Sequence, residues 1–292
     1  MSTITAKPKL LFVINKGSGN NSINFDEIID KYFEEKQDII ISKIHLDENI
    51  NCDDLKKKIS FENPDKVIAV GGDGTIKLLA EVLMGKQLPL GILPAGSANG
   101  MAKDLQIPTD YNEALDLICD QDGRLIHLIK INDQLCIHLS DIGFNAYVVK
   151  VFDGMNKRGM WSYIKAAWKV LWKHAKMKAT FKINNETVER EAVMIVLANG
   201  LSYGTGITIN PEGRLDDDMF EVIIIRKISL TELLKMRFSK GVLNPEKTEL
   251  YQTNAISIQS KKKAHFQIDG EYLGKVNTVE AVILPQAVRI IY

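Results

Sequence analysis

The first 125 or so residues alternate between short apolar runs and stretches with the spacing of a helix. In residues 25–35, for example, apolar side chains recur every three or four positions and fall on one side of a helix. The predicted strands are 10–14, 39–44, 66–70 and 90–93. The predicted helices are 25–35, 53–59, 75–83, 101–105 and 111–119. This alternation predicts an α/β domain, a parallel sheet with helices on both faces.

After residue 124 the pattern changes to runs typical of strands, separated by turn signals such as Asn184-Asn185 and Asp269-Gly270. The predicted strands are 126–131, 134–139, 179–183, 192–198, 219–225, 255–260, 264–268 and 279–284. They predict a second, mainly antiparallel β domain. The predicted domains are therefore 1–126 and 127–292, and the last strand can return to the first domain.

The composition narrows the classes of partner. Lys plus Arg equals Asp plus Glu at 37 each, so the chain lacks the concentrated positive charge typical of nucleic-acid binding. The three cysteines are far apart and form no Cys-x-x-Cys pair, which argues against a disulfide framework and against a zinc site. We therefore expect the protein to work in a reducing cytoplasm. Its apolar runs are much shorter than the roughly 20 residues that span a bilayer.

Candidate chemistry begins at residues 71–75, Gly-Gly-Asp-Gly-Thr, between a predicted strand and a predicted helix. Glycines at this place allow backbone N–H groups to approach a phosphate, and the positive end of the helix points to the same spot. Asp73 adds a carboxylate that could bind magnesium or accept a proton. The alternative is a tight turn without a ligand.

Two further loops of small residues, 15–19 and 94–100, follow the first and fourth predicted strands. The carboxyl ends of parallel strands share one edge of a sheet, where such sheets bind their ligands. We therefore expect the three loops to converge there.

These loops resemble the motifs of the diacylglycerol kinase and sphingosine kinase superfamily, which is related more distantly to NAD kinases and phosphofructokinases. Residues 71–75 are similar to its glycine signature, 15–19 to its Asn-Pro-x-Ser-Gly loop and 93–99 to its Pro-x-Gly-[Ser/Thr]-x-Asn loop. Further matches follow in the family's order at 143–146, 198–200, 203–206, 215–219 and 269–271.

The resemblance implies a nucleotide-binding domain and a C-terminal β-sandwich, with the active site in a cleft between them. It implies that Glu271 is the general base, that Asp269 shares its turn, and that Asp73 handles magnesium or assists proton removal. Without a role in catalysis, Glu271 would mark an exposed hairpin tip. The residues expected to contact ATP are Asn15, Gly17, Ser18, Gly19, Gly71, Gly72, Gly74, Thr75, Ser97 and Asn99.

A structural magnesium site is implied at Asp217, with Arg214 and Met219 beside it. The family has Asp-Gly at this place, whereas this chain has Asp217-Asp218, so the site is either altered or absent. Two other departures are Lys77-Leu78, where the family usually has Asn-Glu, and Lys16, where proline is common. They either retune nucleotide contacts or mark a degenerate enzyme, and the intact glycines and acidic candidates favour the first interpretation.

Residues 160–177 contain all three tryptophans and a row of lysines at helical spacing. A basic amphipathic helix of this kind can lie in the headgroup layer of an anionic membrane, or it can pack its apolar side on the β domain. We expect a cytoplasmic protein that meets its substrate at a membrane surface. A homodimer is one assembly that the sequence leaves open.

Together these features predict an enzyme that uses ATP and Mg²⁺ to phosphorylate a diacylglycerol-like or sphingosine-like hydroxyl. One alternative is an NAD kinase, although Lys77-Leu78 argues against it. Another is a lipid-binding or regulatory protein with impaired catalysis.

Overall fold

A computed structural model describes residues 7–17, 23–47, 50–153, 176–203, 207–210, 213–227 and 246–292 of the chain. The chain forms two compact units. The first unit is Met1–Ile126 with Gln286–Tyr292, and the second is His127–Pro285.

The first unit contains the predicted parallel sheet. Its strands are β1 (Lys9–Asn15), β2 (Ile40–Leu46), β3 (Lys66–Gly71) and β4 (Leu90–Pro94). They lie in the order β2, β1, β3, β4, and every neighbouring pair is parallel. Near the C-terminus, Ile290 pairs in parallel with Leu90, which adds the end of the chain to this sheet beside β4. The α/β prediction for this unit is confirmed.

Helices connect these strands, and polar residues that cap their first turns set where several of them begin. They are α1 (Phe25–Phe33), α2 (Cys52–Glu62), α3 (Asp73–Leu83), α4 (Gly100–Asp104) and α5 (Tyr111–Asp120). The side chains of Asn24, Asn51 and Asp110 accept hydrogen bonds from backbone N–H groups at the starts of α1, α2 and α5. Helix α3 differs, because the residue before it is Gly72, which has no side chain to cap it.

The second unit is a mainly antiparallel β domain of the sandwich type, as predicted. Its elements are β5 (Arg124–Ile131), β6 (Gln134–Cys136), β7 (Leu139–Gly143), α6 (Phe144–Asp153), β8 (Met177–Ile183), β9 (Glu186–Ala192), β10 (Met194–Ala198), β11 (Ser202–Tyr203), β12 (Ile207–Thr208), β13 (Phe220–Ile225), β14 (Thr248–Thr253), β15 (Ala255–Ile268) and β16 (Glu271–Ile290). Strand β5 begins in the first unit, and β16 ends there.

The central sheet of this unit has the order β14, β13, β10, β7, β15, β16, and its neighbours are antiparallel. The first half of β15 pairs with β8, which in turn pairs with β9. Large buried side chains such as Phe181, Phe220 and Phe266 fill the core between these strands.

Several predicted strand boundaries were wrong for identifiable reasons. The run 134–139 is two strands, because the N–H groups of Ile137, His138 and Leu139 donate to the carboxylate of Asp269. The runs 255–260 and 264–268 are one strand, β15, interrupted by a register shift. The predicted strand 279–284 is the middle of the much longer β16.

Five elements of the second unit were missed, and two of them, β11 and β12, are strands of only two residues. Strands β9 and β14 consist mostly of polar residues and are largely exposed, so they lack the apolar runs on which the prediction relied. Helix α6 begins within the family motif 143–146 and was not recognised as a helix.

The predicted membrane helix 160–177 lies outside the described residues apart from its last two positions, and Met177 begins β8 instead. The motif 203–206 also falls largely outside them. Among the residues that the structure describes, no helix has the length and apolar character needed to cross a bilayer.

Candidate active site

The loops after β3 and β4 meet backbone against backbone. A Cβ atom placed on Gly96 would lie 2.5 Å from the Cα of Gly72, and one placed on Gly72 would lie 3.1 Å from the Cα of Gly96. The N–H of Ala95 also donates to the carbonyl of Gly71 at 2.9 Å. Both loops therefore need glycine at their point of contact, because any side chain would separate them.

The loop after β1 joins the same place through Thr75. The Oγ1 of Thr75 is buried and accepts a hydrogen bond from the Nδ2 of Asn15 at 3.1 Å. The Oδ1 of Asn15 accepts from the N–H of Gly17 at 3.0 Å, which shapes the start of the first loop. A Cβ on Gly71 would overlap the Thr75 side chain, so this glycine makes room for the contact. The three predicted loops thus converge at the carboxyl edge of the sheet.

The start of α3 leaves a space that an anion can fill. The first N–H groups of a helix have no partner within it and carry a partial positive charge. Gly72 precedes this helix with no capping side chain, and a Cβ on Gly74 would meet no described atom within 4 Å. A row of small residues, open space and the positive end of an 11-residue helix together form a cradle suited to a phosphate.

Asp73 holds the third loop in place. Its carboxylate accepts hydrogen bonds from the N–H groups of Gly100 at 3.0 Å and Met101 at 2.9 Å, at the start of α4. A carboxylate has about four acceptor positions, so these two bonds leave others for a cation or a hydroxyl. The predicted role of Asp73, to bind magnesium or to assist proton removal, stays a prediction. The structure adds a second role that the sequence analysis did not predict, the contact with the third loop.

The other predicted nucleotide contacts in the third loop are Ser97 and Asn99. Asn99 has a φ of 50°, and its Oδ1 accepts from the N–H of Gly96 at 2.8 Å, so its side chain closes the loop on itself. Ser97 is exposed at the tip of that loop. Ser18 and Gly19 of the first loop lie outside the described residues.

In the second unit, Glu271 follows a two-residue hairpin turn. Asp269 and Gly270 have φ values of 50° and 86°, the left-handed conformation of a type I′ turn, and Ile268 pairs with Glu271 across it. The side chain of Glu271 is exposed at the start of β16. The structure therefore presents this carboxylate to solvent at the end of a paired hairpin.

Asp269 anchors the hairpin to the rest of the second unit. Its carboxylate accepts from the N–H groups of Ile137, His138 and Leu139, at 3.2, 2.9 and 3.3 Å respectively. Its own N–H donates to the carbonyl of Leu139 at 2.8 Å. These bonds assign Asp269 a positioning task beside the candidate base.

Two residues that the sequence analysis did not select complete this anchor. The Nε2 of Gln267 donates to the buried carboxylate of Asp141 at 2.6 Å, and its Oε1 accepts from the N–H of Gly270 at 2.7 Å. Asp141 also accepts from the side chain of Asn145 and the N–H of Ala146 at the start of α6. The motif 143–146 was the available signal, because its Asn145 contacts this carboxylate.

The predicted metal site contains a feature that explains the departure at residue 218. Asp218 has a φ of 57°, a conformation that glycine adopts freely and that aspartate tolerates better than most residues. Its N–H donates to the Nδ1 of His127 at 3.1 Å, and burial lowers the pKa of this histidine. The chain thus keeps at Asp218 a backbone conformation typical of the glycine that the family has there.

The three residues predicted for the metal surround this turn. The Oδ1 of Asp217 accepts from the N–H of Met219 at 3.2 Å, and the exposed Arg214 pairs with Asp216 at 3.1 Å. In the described part of the chain, no cluster of three or more His, Cys, Asp or Glu side chains has the arrangement of a metal site. The single carboxylate of Asp217 can bind Mg²⁺ only if backbone carbonyls and water supply the other oxygen ligands. Mg²⁺ commonly keeps several water ligands in proteins.

Comparison with known proteins first defines the class. Over 98% of this chain and 97% of the other, the fold matches the crystal structure of a diacylglycerol kinase from Bacillus anthracis, with a TM-score of 0.69 and 19% identity. It also matches an NAD kinase from Archaeoglobus fulgidus in complex with ATP, with a TM-score of 0.54 and 12% identity over 97% of this chain and 93% of that one. The chain therefore has the same two-domain fold as these proteins.

The family follows from the sequence profiles. Residues 9–131 match the diacylglycerol kinase catalytic domain, and residues 140–292 match the YegS C-terminal NAD kinase beta sandwich-like domain. A diacylglycerol kinase of Staphylococcus aureus (strain bovine RF122 / ET3-1) is 28% identical over 227 residues, which cover 75% of this chain and 72% of the relative. The chain belongs to the diacylglycerol kinase family.

Proposed function

We propose that this protein is an ATP-dependent lipid kinase that transfers the γ-phosphate to the hydroxyl of a diacylglycerol-like or sphingosine-like lipid. The observation that carries the proposal is the convergence of three loops around Gly72, Gly96 and Thr75, with open space at Gly74. Family membership and the kinase fold support the same conclusion.

The nucleotide phosphates occupy the cradle at the start of α3. Backbone N–H groups of residues 72–74 donate to phosphate oxygens, and the helix adds its partial positive charge. Asn15 and Asn99 act by holding the first and third loops in position. Phosphoryl transfer needs little covalent chemistry from the protein, so this positioning supplies a large share of catalysis.

The second unit supplies the proton acceptor. Glu271 takes the proton of the lipid hydroxyl as that oxygen forms a bond to the γ-phosphorus. The bond between the γ-phosphorus and its bridging oxygen breaks, and ADP leaves with the electron pair. The exposed position of Glu271 on a hairpin anchored by Asp269 and Gln267 suits a base that meets a substrate from solvent.

Two places could hold magnesium, one in the proposed chemistry and one with a structural role. Asp73 would hold the ion that neutralises phosphate charge, and Asp217, with Arg214 and Met219 beside it, would hold a structural ion. Asp73 keeps acceptor positions beyond its two backbone hydrogen bonds.

A kinase assay with γ-labelled ATP and Mg²⁺ over diacylglycerol, sphingosine and NAD tests the proposal. We expect label on a lipid. Label on NAD would instead identify an NAD kinase, and binding of lipid without any transfer would identify a binding or regulatory protein.

The variant Glu271→Gln tests the assigned base. Loss of a positioned base typically lowers the rate by about 10²-fold or more, so we expect a fall of that size in kcat with little change in ATP affinity. Glu280→Gln is the matched control, because Glu280 is also an exposed glutamate of β16. Normal turnover by Glu271→Gln would show that another group accepts the proton.

A further inference from the structure

Three consecutive lysines stand at the irregular part of β15. Lys261, Lys262 and Lys263 are all exposed, and they lie where the register between β15 and β16 shifts, between Gln259 and Ala264. Regular strands point alternate side chains to opposite faces. The irregularity here lets three neighbouring ammonium groups reach solvent together.

These lysines belong to a larger cationic surface. With Lys176, Lys178 and Lys275 they line a cavity of about 540 Å³, and we call these six residues the lysine surface. None of the described residues that line the cavity is acidic. Lys178 reaches Glu191 at 3.1 Å, outside the cavity. In a chain with equal numbers of cationic and anionic residues, this is a strong local concentration of positive charge.

Aromatic side chains border the lysine surface. The ring of His265 stacks on that of Tyr147, with centroids 4.3 Å apart and planes 4° from parallel. The Nδ1 of His265 is 2.7 Å from the hydroxyl of Tyr272, and Lys150 lies over the Tyr272 ring at 5.4 Å. Surfaces that lie at the level of the lipid headgroups typically combine lysines with aromatic rings that have a polar edge.

The lysine surface lies on the hairpin that carries the proposed base. His265 pairs with Lys275 across β15 and β16, and Ile268 pairs with Glu271 at the end of the same hairpin. Lys275 is four positions along β16 from Glu271, a distance of at most about 13 Å at 3.3 Å per residue. If the lysines bind the headgroup layer of a membrane, the headgroup of a lipid in that layer would therefore be able to reach Glu271.

We propose that the lysine surface docks on the anionic headgroups of a membrane and thereby brings the Glu271 hairpin to the lipid substrate. This proposal rests on the proposed function, because membrane docking serves the enzyme only if its substrate is a lipid. A membrane is favoured over a nucleic acid because the cations are lysines around a shallow cavity bordered by tyrosines, next to a residue assigned to lipid chemistry.

Vesicle co-sedimentation of the full chain tests this docking directly. The variant Lys261→Gln/Lys262→Gln/Lys263→Gln is compared with wild type on phosphatidylcholine vesicles and on vesicles of equal parts phosphatidylcholine and phosphatidylglycerol. Each lysine near an anionic surface contributes an attraction that amounts to roughly fivefold in affinity, so the triple variant should partition about 100-fold more weakly onto the anionic vesicles. Added salt should weaken wild-type binding, because it shortens the range of the attraction to a few ångströms.

The matched control is Lys56→Gln/Lys57→Gln/Lys58→Gln on α2. These are also three consecutive lysines, but Lys56 and Lys57 lie near Asp53 and Asp54 on their own helix. This control should bind anionic vesicles as wild type does. Equal binding by the β15 variant and wild type would overturn the proposal.

Two further measurements distinguish membrane docking from a site for free phosphate and from a direct part in phosphoryl transfer. Soluble glycerol phosphate should not displace the protein from vesicles. If it does, and if the displacement depends on the three lysines, the surface is a site for free phosphate and the docking proposal is wrong. With a water-soluble short-chain diacylglycerol, the β15 variant should retain wild-type turnover. If wild type phosphorylates neither soluble nor vesicle-bound lipid, the proposed function fails, and the vesicle measurement still decides whether the surface docks.

Discussion

Gly72 and Gly96 touch through their backbones, since a Cβ on Gly96 would stand 2.5 Å from the Cα of Gly72. These glycines belong to the loops after two neighbouring parallel strands, β3 and β4. Their contact, together with the hydrogen bond from Asn15 to Thr75, gathers three loops at one edge of the sheet. The nucleotide site that we propose depends on this arrangement.

The variant Gly96→Ala should separate these loops. The added methyl would meet backbone and the Oδ1 of Asn99 at 2.7 Å, neither of which can yield without moving the loop. We expect the free energy of unfolding to fall by about 1–3 kcal/mol, as for other overpacked sites, together with a loss of ATP binding. Urea unfolding and calorimetric titration measure the two effects. Unchanged stability and unchanged affinity would show that the loops tolerate separation.

The variant Asp73→Asn should weaken the link between the second and third loops. An amide offers one acceptor oxygen in place of two, so one of the N–H groups of Gly100 and Met101 would face an amide NH₂ group. We expect a loss of about 1–2 kcal/mol in the free energy of unfolding. Asp53→Asn, at an 83% exposed side chain in the first turn of α2, is the control and should change it by less than about 0.5 kcal/mol. Equal stability of both variants would contradict this role.

The alternation of strands and helices was enough to predict the parallel sheet, because buried parallel strands are short apolar runs and each is followed by a helix with a clear apolar side. The convergence of the three loops follows from that topology. It was therefore predictable before any contact was known.

The network around Gln267 could not be predicted, because it joins residues 141, 267 and 270, which only the folded sheet brings together. Asp218 illustrates a second limit. Its departure from the family's Asp-Gly looks like the loss of a motif, yet its φ of 57° keeps a backbone conformation typical of glycine.

The variant Gln267→Ala should loosen the hairpin that carries Glu271. It leaves the N–H of Gly270 without its acceptor and removes a donor from the buried carboxylate of Asp141. We expect the free energy of unfolding to fall by about 1–3 kcal/mol, and kcat to fall while the KM for ATP is unchanged. Gln259→Ala, at an exposed position of the same strand, is the control. A normal kcat in a destabilised Gln267→Ala protein would limit this residue to a structural role.

The acidic limb of the stability curve should depend on Glu249. Burial alone would raise its pKa, but hydrogen bonds from Arg190 and Tyr251, together with the charge of Arg226, lower it below the ordinary value. A lowered pKa in the folded state adds stability above the unfolded value of about 4.3, and this contribution is lost as the pH falls through the folded pKa.

The variant Glu249→Gln should therefore be less stable than wild type at neutral pH, by about 1 kcal/mol because Arg190 is partly exposed, and the difference should shrink in acid. Thermal unfolding as a function of pH measures it. Glu189→Gln, at an exposed neighbour of Arg190, should show no such dependence. A difference between wild type and Glu249→Gln that stays constant with pH would contradict the assigned cause.

Calorimetric titration of ATP with Mg²⁺ into wild type and Gly74→Ala tests the nucleotide site most directly. A methyl on Gly74 meets no described atom within 4 Å beyond its chain neighbours and its own helix backbone, and alanine favours a helix more than glycine does, so the variant should unfold at or above the wild-type temperature. A phosphate in the cradle would meet that methyl, and we expect ATP to bind at least about tenfold more weakly, a loss of about 1.4 kcal/mol. Wild-type affinity for ATP in the Gly74→Ala protein would show that the phosphates lie elsewhere.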